Sequence, residues 1–237
     1  MAVYLKKFNN TTEHTNYTRS AQYREPYASA ISDEEVYFNQ YDTIYGKQFT
    51  LINYIQNTSN SYINTKYVPN INTRIEVKYV QTTLGYQYPT LFGARNTQSG
   101  TERFYQHINS GKSESKNCNC VVSNTTKTFN TSTINNEHTL IQCKDYVELD
   151  GTKIILSNIS TINITNSIYL FCLHDGGGLN SSCFFQGKLF YCKIYDNNIL
   201  QQYWVPAKVN STNEFGMYDY VNKIFYGSFN STKFTGG

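Results

Sequence analysis

Glu148-Leu149-Asp150 places two carboxylates one residue apart, on the same face of an extended strand. Two carboxylates are what glycoside cleavage requires, one as acid and one as nucleophile or base. Gly151-Thr152-Lys153 follows with no third carboxylate, and Asp-Gly between two apolar runs signals a two-residue hairpin turn. The turn reading prevails, and no catalytic residue is assigned. His14, His107, His138 and His174 are scattered, and none stands in a recognisable nucleophile setting. His174-Asp175-Gly176-Gly177-Gly178 is glycine-rich but follows a strand and opens no helix, so it reads as a flexible loop and not a phosphate cradle. Asp175 in that loop is a candidate ligand for a sugar hydroxyl. One carboxylate is far short of the roughly six to eight oxygens that Ca²⁺ takes. Tyr86 and Tyr88, between Leu84 and Pro89, are candidates for stacking on a sugar ring. Tyr is equally a low-entropy anchor at protein interfaces, so the residue type alone does not separate the two uses.

Cys118, Cys120, Cys143, Cys172, Cys183 and Cys192 are the six cysteines. Cys118-Asn-Cys120 is too close for a zinc-site spacing. Cys172 and Cys192 fall inside strand patterns, where Cys acts as a small buried apolar group. Reduced structural thiols are expected, with a disulfide as the alternative, and neither a metal nor a cofactor is assigned. Asn-x-Ser/Thr triplets abound, but in a chain this rich in Asn and Thr they arise by chance.

The elements that must position these residues are strands. Aromatics make up 16% of the 237 residues, with 22 Tyr and 14 Phe, while charged residues make up only 16%. Such a chain is too aromatic to be disordered and too β-prone to be helical. A net charge of +3 without a dense Lys/Arg run argues against nucleic-acid binding. No apolar stretch approaches the roughly 18 residues of a membrane span. MAVYLKKFNN lacks the apolar core of a secretion signal, so export by this N-terminus is not expected.

Thr73 to Tyr79 alternates: Ile75, Val77 and Tyr79 share one face, and Arg74, Glu76 and Lys78 the other. Leu51–Ile55 and Ser61–Thr65 read as short strands around an Asn-Thr-Ser-Asn turn. Leu91–Arg95, Arg103–Ile108 and His138–Cys143 follow as strands, and Val147–Leu149 meets Lys153–Leu156 across Asp150-Gly151. In Leu189 to Tyr195, alternation puts Phe190, Cys192 and Ile194 in the core. About a dozen short strands predict an all-β fold, an antiparallel jelly-roll sandwich over residues 46–237. Residues 1–45 are polar and irregular, are interrupted by Pro26, and hold the acidic cluster Asp33-Glu34-Glu35. They read as an extended N-terminal arm ordered by lying on something else.

Several of these runs carry a resemblance. Tyr62-Ile63-Asn64-Thr65, Arg74-Ile75-Glu76-Val77, Leu91-Phe92-Gly93-Ala94-Arg95, Leu149-Asp150-Gly151, Gly187 to Asp196, Val205-Pro206, Gly216 to Asp219 and Phe225-Tyr226 occur in order. Together they resemble the concanavalin A-like (laminin G-like) jelly-roll domains of gut bacteria and their phages, with Lys66 where that family usually has Gly. Related glucanases carry Glu-x-Asp-x-x-Glu, of which only Glu148 and Asp150 are present here. MAVYLKKFN (1–9) and Glu34-Glu35-Val36-Tyr37-Phe38-Asn39 resemble the opening of virion proteins from crAss-like phages. The resemblance implies a non-enzymatic phage virion protein, a head fibre or capsid decoration module. It would be made in the host cytoplasm and carried on the particle surface. The arm, through Tyr4, Phe8, Val36, Tyr37 and Phe38, would bind other virion proteins. A homo-oligomer is expected, with host or mucosal glycans as further partners. The alternatives are a tail receptor-binding protein and, behind it, a glycan hydrolase.

Overall fold

The computed structural model describes residues 43–44, 47–83, 86, 88–109, 117–130 and 135–237. Tyr4, Phe8, Val36, Tyr37 and Phe38 lie outside the described residues, as does nearly all of the proposed arm.

The described residues form twenty strands and no helix. In chain order they are β1 (Thr43–Ile44), β2 (Lys47–Leu51), β3 (Ile55–Asn57), β4 (Ile63–Asn64), β5 (Thr73–Gln81), β6 (Thr90–Arg95), β7 (Arg103–Asn109), β8 (Asn117–Val122), β9 (Thr125–Phe129) and β10 (Glu137–Gln142). There follow β11 (Tyr146–Leu149), β12 (Thr152–Ile155), β13 (Tyr169–Leu170), β14 (His174–Asp175), β15 (Gly178–Leu179), β16 (Gly187–Asp196), β17 (Ile199–Val209), β18 (Glu214–Asp219), β19 (Ile224–Tyr226) and β20 (Thr235–Gly236).

Two sheets face each other. The larger has twelve strands, with the path β1-β2-β17-β16-β5-β10-β11-β12 and with β18, β19, β3 and β20 attached beside β17 and β16. The smaller has eight, with the path β15-β14-β6-β7-β8-β9 and with β13 and β4 beside β6. The strand pairings are antiparallel except β14 with β6. This is the all-β jelly-roll sandwich that the alternation predicts.

The core lies between the sheets. Ile75, Val77 and Tyr79 of β5 point inward with Leu140, Leu189, Cys192, Ile194, Trp204 and Met217, and meet Phe92, Ala94, Phe104, Ile108, Cys118, Cys120 and Val122 of the smaller sheet. The β5 alternation is visible in its burial, with Arg74, Glu76 and Lys78 half-exposed between buried neighbours. Asp150 and Gly151 both adopt positive φ, 49° and 80°, and close the β11–β12 hairpin as the Asp-Gly signal predicts. All six cysteines are buried free thiols.

Three expectations are corrected. Phe190 does not share the core with Cys192: a bulge between Leu189 and Tyr191 shifts the register, so Leu189 and Cys192 both face inward. Phe190 is the extra residue and turns out toward Tyr54 and Lys78. Strict alternation fails there because a bulge inserts one residue without changing the residue types that advertise a strand. His174–Gly178 is a hairpin and not a loose loop: β14 pairs with β15 across Gly176 and Gly177, whose positive φ values of 57° and 92° favour glycine. Finally, the strands flanking Thr58–Asn60 do not pair with each other. β3 joins the larger sheet through β16, and β4 joins the smaller one through β13, so this segment crosses between layers.

Candidate functional site

The outer face of the smaller sheet carries a cleft. It is built from the outward residues of β6 and β7, one loop on each side, and the segment from Leu173 to Cys183. Along β7, Phe104, Gln106 and Ile108 are buried inward, which leaves Tyr105 and His107 on the outer face. On β6 the same alternation turns Gly93 and Arg95 outward. Gly93 lies opposite Tyr105 in register, and a Cβ there would sit 2.1 Å from the Tyr105 Cβ. Only glycine lets the Tyr105 ring and the Leu173 side chain close over the strand. Around them Tyr62, Val121, Tyr169, Cys172, Cys183 and Phe184 form a second apolar cluster, separate from the main core. This cluster fixes the 171–185 segment on the sheet.

The cleft encloses about 420 Å³ and is lined by Tyr88, Thr90, Arg95, Gln98, Tyr105, His107, Leu173, Asn180, Ser182 and Cys183. Its charges are cancelled internally. Arg95 donates to Asp175 through Nε (2.8 Å) and Nη2 (2.7 Å), a bidentate pair that fixes the guanidinium. Asn180 Nδ2 donates to Asp175 Oδ2 at 2.8 Å. The Arg95 hydrogen bonds hold the Asp175 carboxyl below its ordinary pKa, against the opposing effect of burial.

His107 is held neutral. Burial, helped by the nearby Arg95 charge, lowers its pKa to about 4. Thr128 Oγ1 donates to Asn119 Oδ1 at 2.7 Å, which turns the Asn119 amide nitrogen toward His107 Nε2 at 3.3 Å. Nε2 is therefore the acceptor, and the ring proton sits on Nδ1. Tyr88 stands edge-on to this imidazole, with centroids 5.9 Å apart, and Tyr105 lies tilted beside it at 5.6 Å.

The three candidates for sugar contact are placed as follows. Tyr88, 43% exposed, lines the cleft. Tyr86 packs on Phe184 at the margin of the neighbouring apolar cluster. Asp175 lies behind Arg95 as its counter-ion. Sequence reading did not single out Arg95, Tyr105, His107, Asn180 or Ser182 as site residues. The outward phase of β7 marks Tyr105 and His107, whereas the Arg95–Asp175 pairing spans 80 positions and has no local signal.

The lining residues include no carboxylate, so the cleft itself does not present the acid and nucleophile pair of glycoside cleavage. Glu148 pairs with Lys153 across the β11–β12 hairpin, and Asp150 accepts from His138 and from the Thr139 amide. Both carboxylates serve a turn. Among the described residues, no group of three or more His, Cys, Asp or Glu side chains is placed to hold a metal.

Among solved structures, the chain is similar to a native heptameric SAP-like pentraxin from Limulus polyphemus (TM-score 0.44, 10% identity, covering 60% of this chain and 74% of that one). It is also similar to the CBM40 of a Ruminococcus gnavus IT-sialidase (TM-score 0.45, 13% identity, covering 62% of this chain and 91% of that one). No protein-family model matches the sequence, and no curated protein matches it significantly.

Proposed function

We propose that the jelly roll is a non-enzymatic binding module for uncharged glycans, carried on a phage particle as a head fibre or capsid decoration. The observation that carries the glycan reading is the cleft. It pairs two tyrosine rings, Tyr88 and Tyr105, with hydroxyl and amide groups from Thr90, Gln98, Asn180 and Ser182. Rings give a sugar an apolar face to stack on, and hydroxyls and amides exchange hydrogen bonds with its OH groups. Arg95 is committed to Asp175 and His107 is neutral, so nothing in the lining carries an uncompensated charge that would favour an acidic sugar.

Attachment to the particle rests on the resemblance of residues 1–9 and 34–39 to virion proteins. A glycan array probed with the full chain and with Tyr88→Ala tests the binding role. Neutral glycans captured by the full chain and lost in the variant support it; capture of no glycan, or equal capture by both, counts against it. Attachment is tested separately, by removing residues 1–45 and asking whether the shortened chain still joins particles. Normal incorporation would end the anchoring role and leave the glycan role standing.

A further inference from the structure

A second cleft lies at one end of the larger sheet. β5 begins there, and its neighbours β16 and β10 both end there, since Thr73 pairs with Asp196 and Ile75 with Gln142. Three turns wall it: residues 70–72 ahead of β5, 143–145 between β10 and β11, and 197–198 between β16 and β17. It encloses about 370 Å³, within the range of small-molecule sites, and shares no residue with the cleft of Tyr88 and Tyr105. Local chemistry fixes the walls. Asn197 and Asn198 both adopt positive φ, 50° and 62°, as a two-residue hairpin turn requires. The Asn197 amide donates to the Asn72 carbonyl at 3.2 Å, and the Asn72 amide donates to Asn70 Oδ1 at 2.7 Å. The Cys143 amide donates to the Tyr146 carbonyl at 3.0 Å.

The chemistry of this cleft centres on Arg74. Alternation along β5 turns it away from the core, and Tyr195 lies opposite in register, with the guanidinium 3.8 Å from the centre of its ring. Stacking of this kind fixes the guanidinium plane. Nη1 stands 3.9 Å from Glu76 Oε2, too far for a hydrogen bond, and Glu76 Oε1 already accepts from the Tyr191 hydroxyl at 2.8 Å. Nε has no hydrogen-bond partner. Nε and Nη2 form the edge with which Arg95 grips Asp175, whereas on Arg74 that edge makes no hydrogen bond among the described residues. Lys144 also lines the cleft and pairs with no carboxylate among the described residues. The lining holds one carboxylate, the exposed Asp145, so its formal charge is two minus one, or +1.

We infer that this cleft binds the carboxylate of an acidic sugar, a uronic acid residue. The carboxylate lies along the Nε–Nη2 edge of Arg74, where two parallel N–H donors meet two oxygens, and Lys144 adds a second positive charge. The side-chain amides of Asn72, Asn197 and Asn198 make no hydrogen bond among the described residues and are left to meet the ring hydroxyls. A metal cation is disfavoured, since Arg74 and Lys144 outweigh Asp145. A neutral sugar leaves the Arg74 edge unpaired and forgoes the charge-assisted bonds. The two clefts therefore differ in what they accept: the first has its charges cancelled internally, and the second keeps an arginine edge open. The inference does not depend on the neutral-glycan reading of the first cleft.

The test titrates D-glucuronate, D-glucose and acetate separately into ¹⁵N-labelled full-length protein. Glucuronate should give saturable shifts in the backbone amides of residues 71–74, 143–146 and 197–198. Glucose, which lacks the carboxylate, and acetate, which lacks the ring, should each bind there at least roughly tenfold more weakly. Arg74→Gln should weaken glucuronate binding about tenfold. Lys144→Gln, which breaks no ion pair among the described residues, should weaken it about threefold with the rest of the spectrum unchanged. Glucuronate shifts absent from these three segments, glucose or acetate binding as tightly as glucuronate, or unchanged affinity in Lys144→Gln would each overturn the inference. None of these results bears on the first cleft, whose signals come from other residues and whose probes are neutral glycans.

Discussion

Acidification should destabilise the fold through His107 before the carboxylates titrate. The ring is surrounded by Tyr88, Tyr105 and Asn119, and burial brings its pKa from 6.5 to about 4. The unfolded chain takes up the proton near pH 6.5, whereas the folded chain resists until about pH 4. Stability from this residue is therefore full above about pH 6.5 and is lost as the pH falls toward 4. At about 1.4 kcal/mol per pH unit, a shift of roughly 2.5 units corresponds to about 3 kcal/mol. His174, also lowered by burial, adds to the same trend, while Asp219, raised by burial, opposes it. Comparison with His107→Gln separates these contributions, since Gln accepts from Asn119 but does not titrate. Denaturant midpoints and slopes at about pH 7 and about pH 4.5 give the four stabilities. The native protein should lose about 2–3 kcal/mol more than the variant over that interval. Equal losses, within about 0.5 kcal/mol, would refute the claim that the imidazole is held neutral by its surroundings.

Other perturbations follow from the same geometry. Gly93→Ala forces its new methyl against the Cβ and main chain of Tyr105; a strand backbone cannot rotate away, so a loss of about 3 kcal/mol and a melting temperature lower by roughly 6–12 °C are expected. A change below about 1 kcal/mol would show that β6 and β7 are looser than described. Gln106 and Gln142 are fully buried, and the Oε1 of each has no hydrogen-bond partner among the described residues; Gln106→Met should raise stability by about 1 kcal/mol in denaturant titration. A loss of that size would instead point to a bound water that the amide needs. Asp219→Ala removes the acceptor for the Tyr203, Val221 and Asn222 amides and for the Asn222 side chain; it should cost about 3 kcal/mol, read by thermal melting. A cost under about 1 kcal/mol would show that the β18–β19 turn holds without it.

The sequence was most legible where one physical signal acted alone. Two-residue alternation located β5 and the face it buries, and Asp150-Gly151 located a turn whose φ values few other residue pairs adopt. Legibility failed where several signals compete. At Phe190 the bulge changes phase without changing composition. β8 and β9 were missed because Asn117-Cys-Asn-Cys and Thr125-Thr-Lys-Thr do not look apolar, although Cys118 and Cys120 alternate into the core as small hydrophobic groups. The cleft was harder still. Its walls come from residues 88–90, 95–107 and 173–183, and only the pairings of β6 with β7 and β14 bring them together. Tyr88 and Asp175 were singled out from loop position and residue type, but neither cue showed that Asp175 would be spent on Arg95.

The cleft's role is open to one direct measurement. Neutral glycan captured on the array should be titrated into ¹⁵N-labelled full-length protein while the backbone amide resonances are followed. The account predicts saturable shifts confined to residues 88–107 and 173–183. Shifts that spare these segments and cluster elsewhere, or none at glycan concentrations that saturate the array, would contradict it.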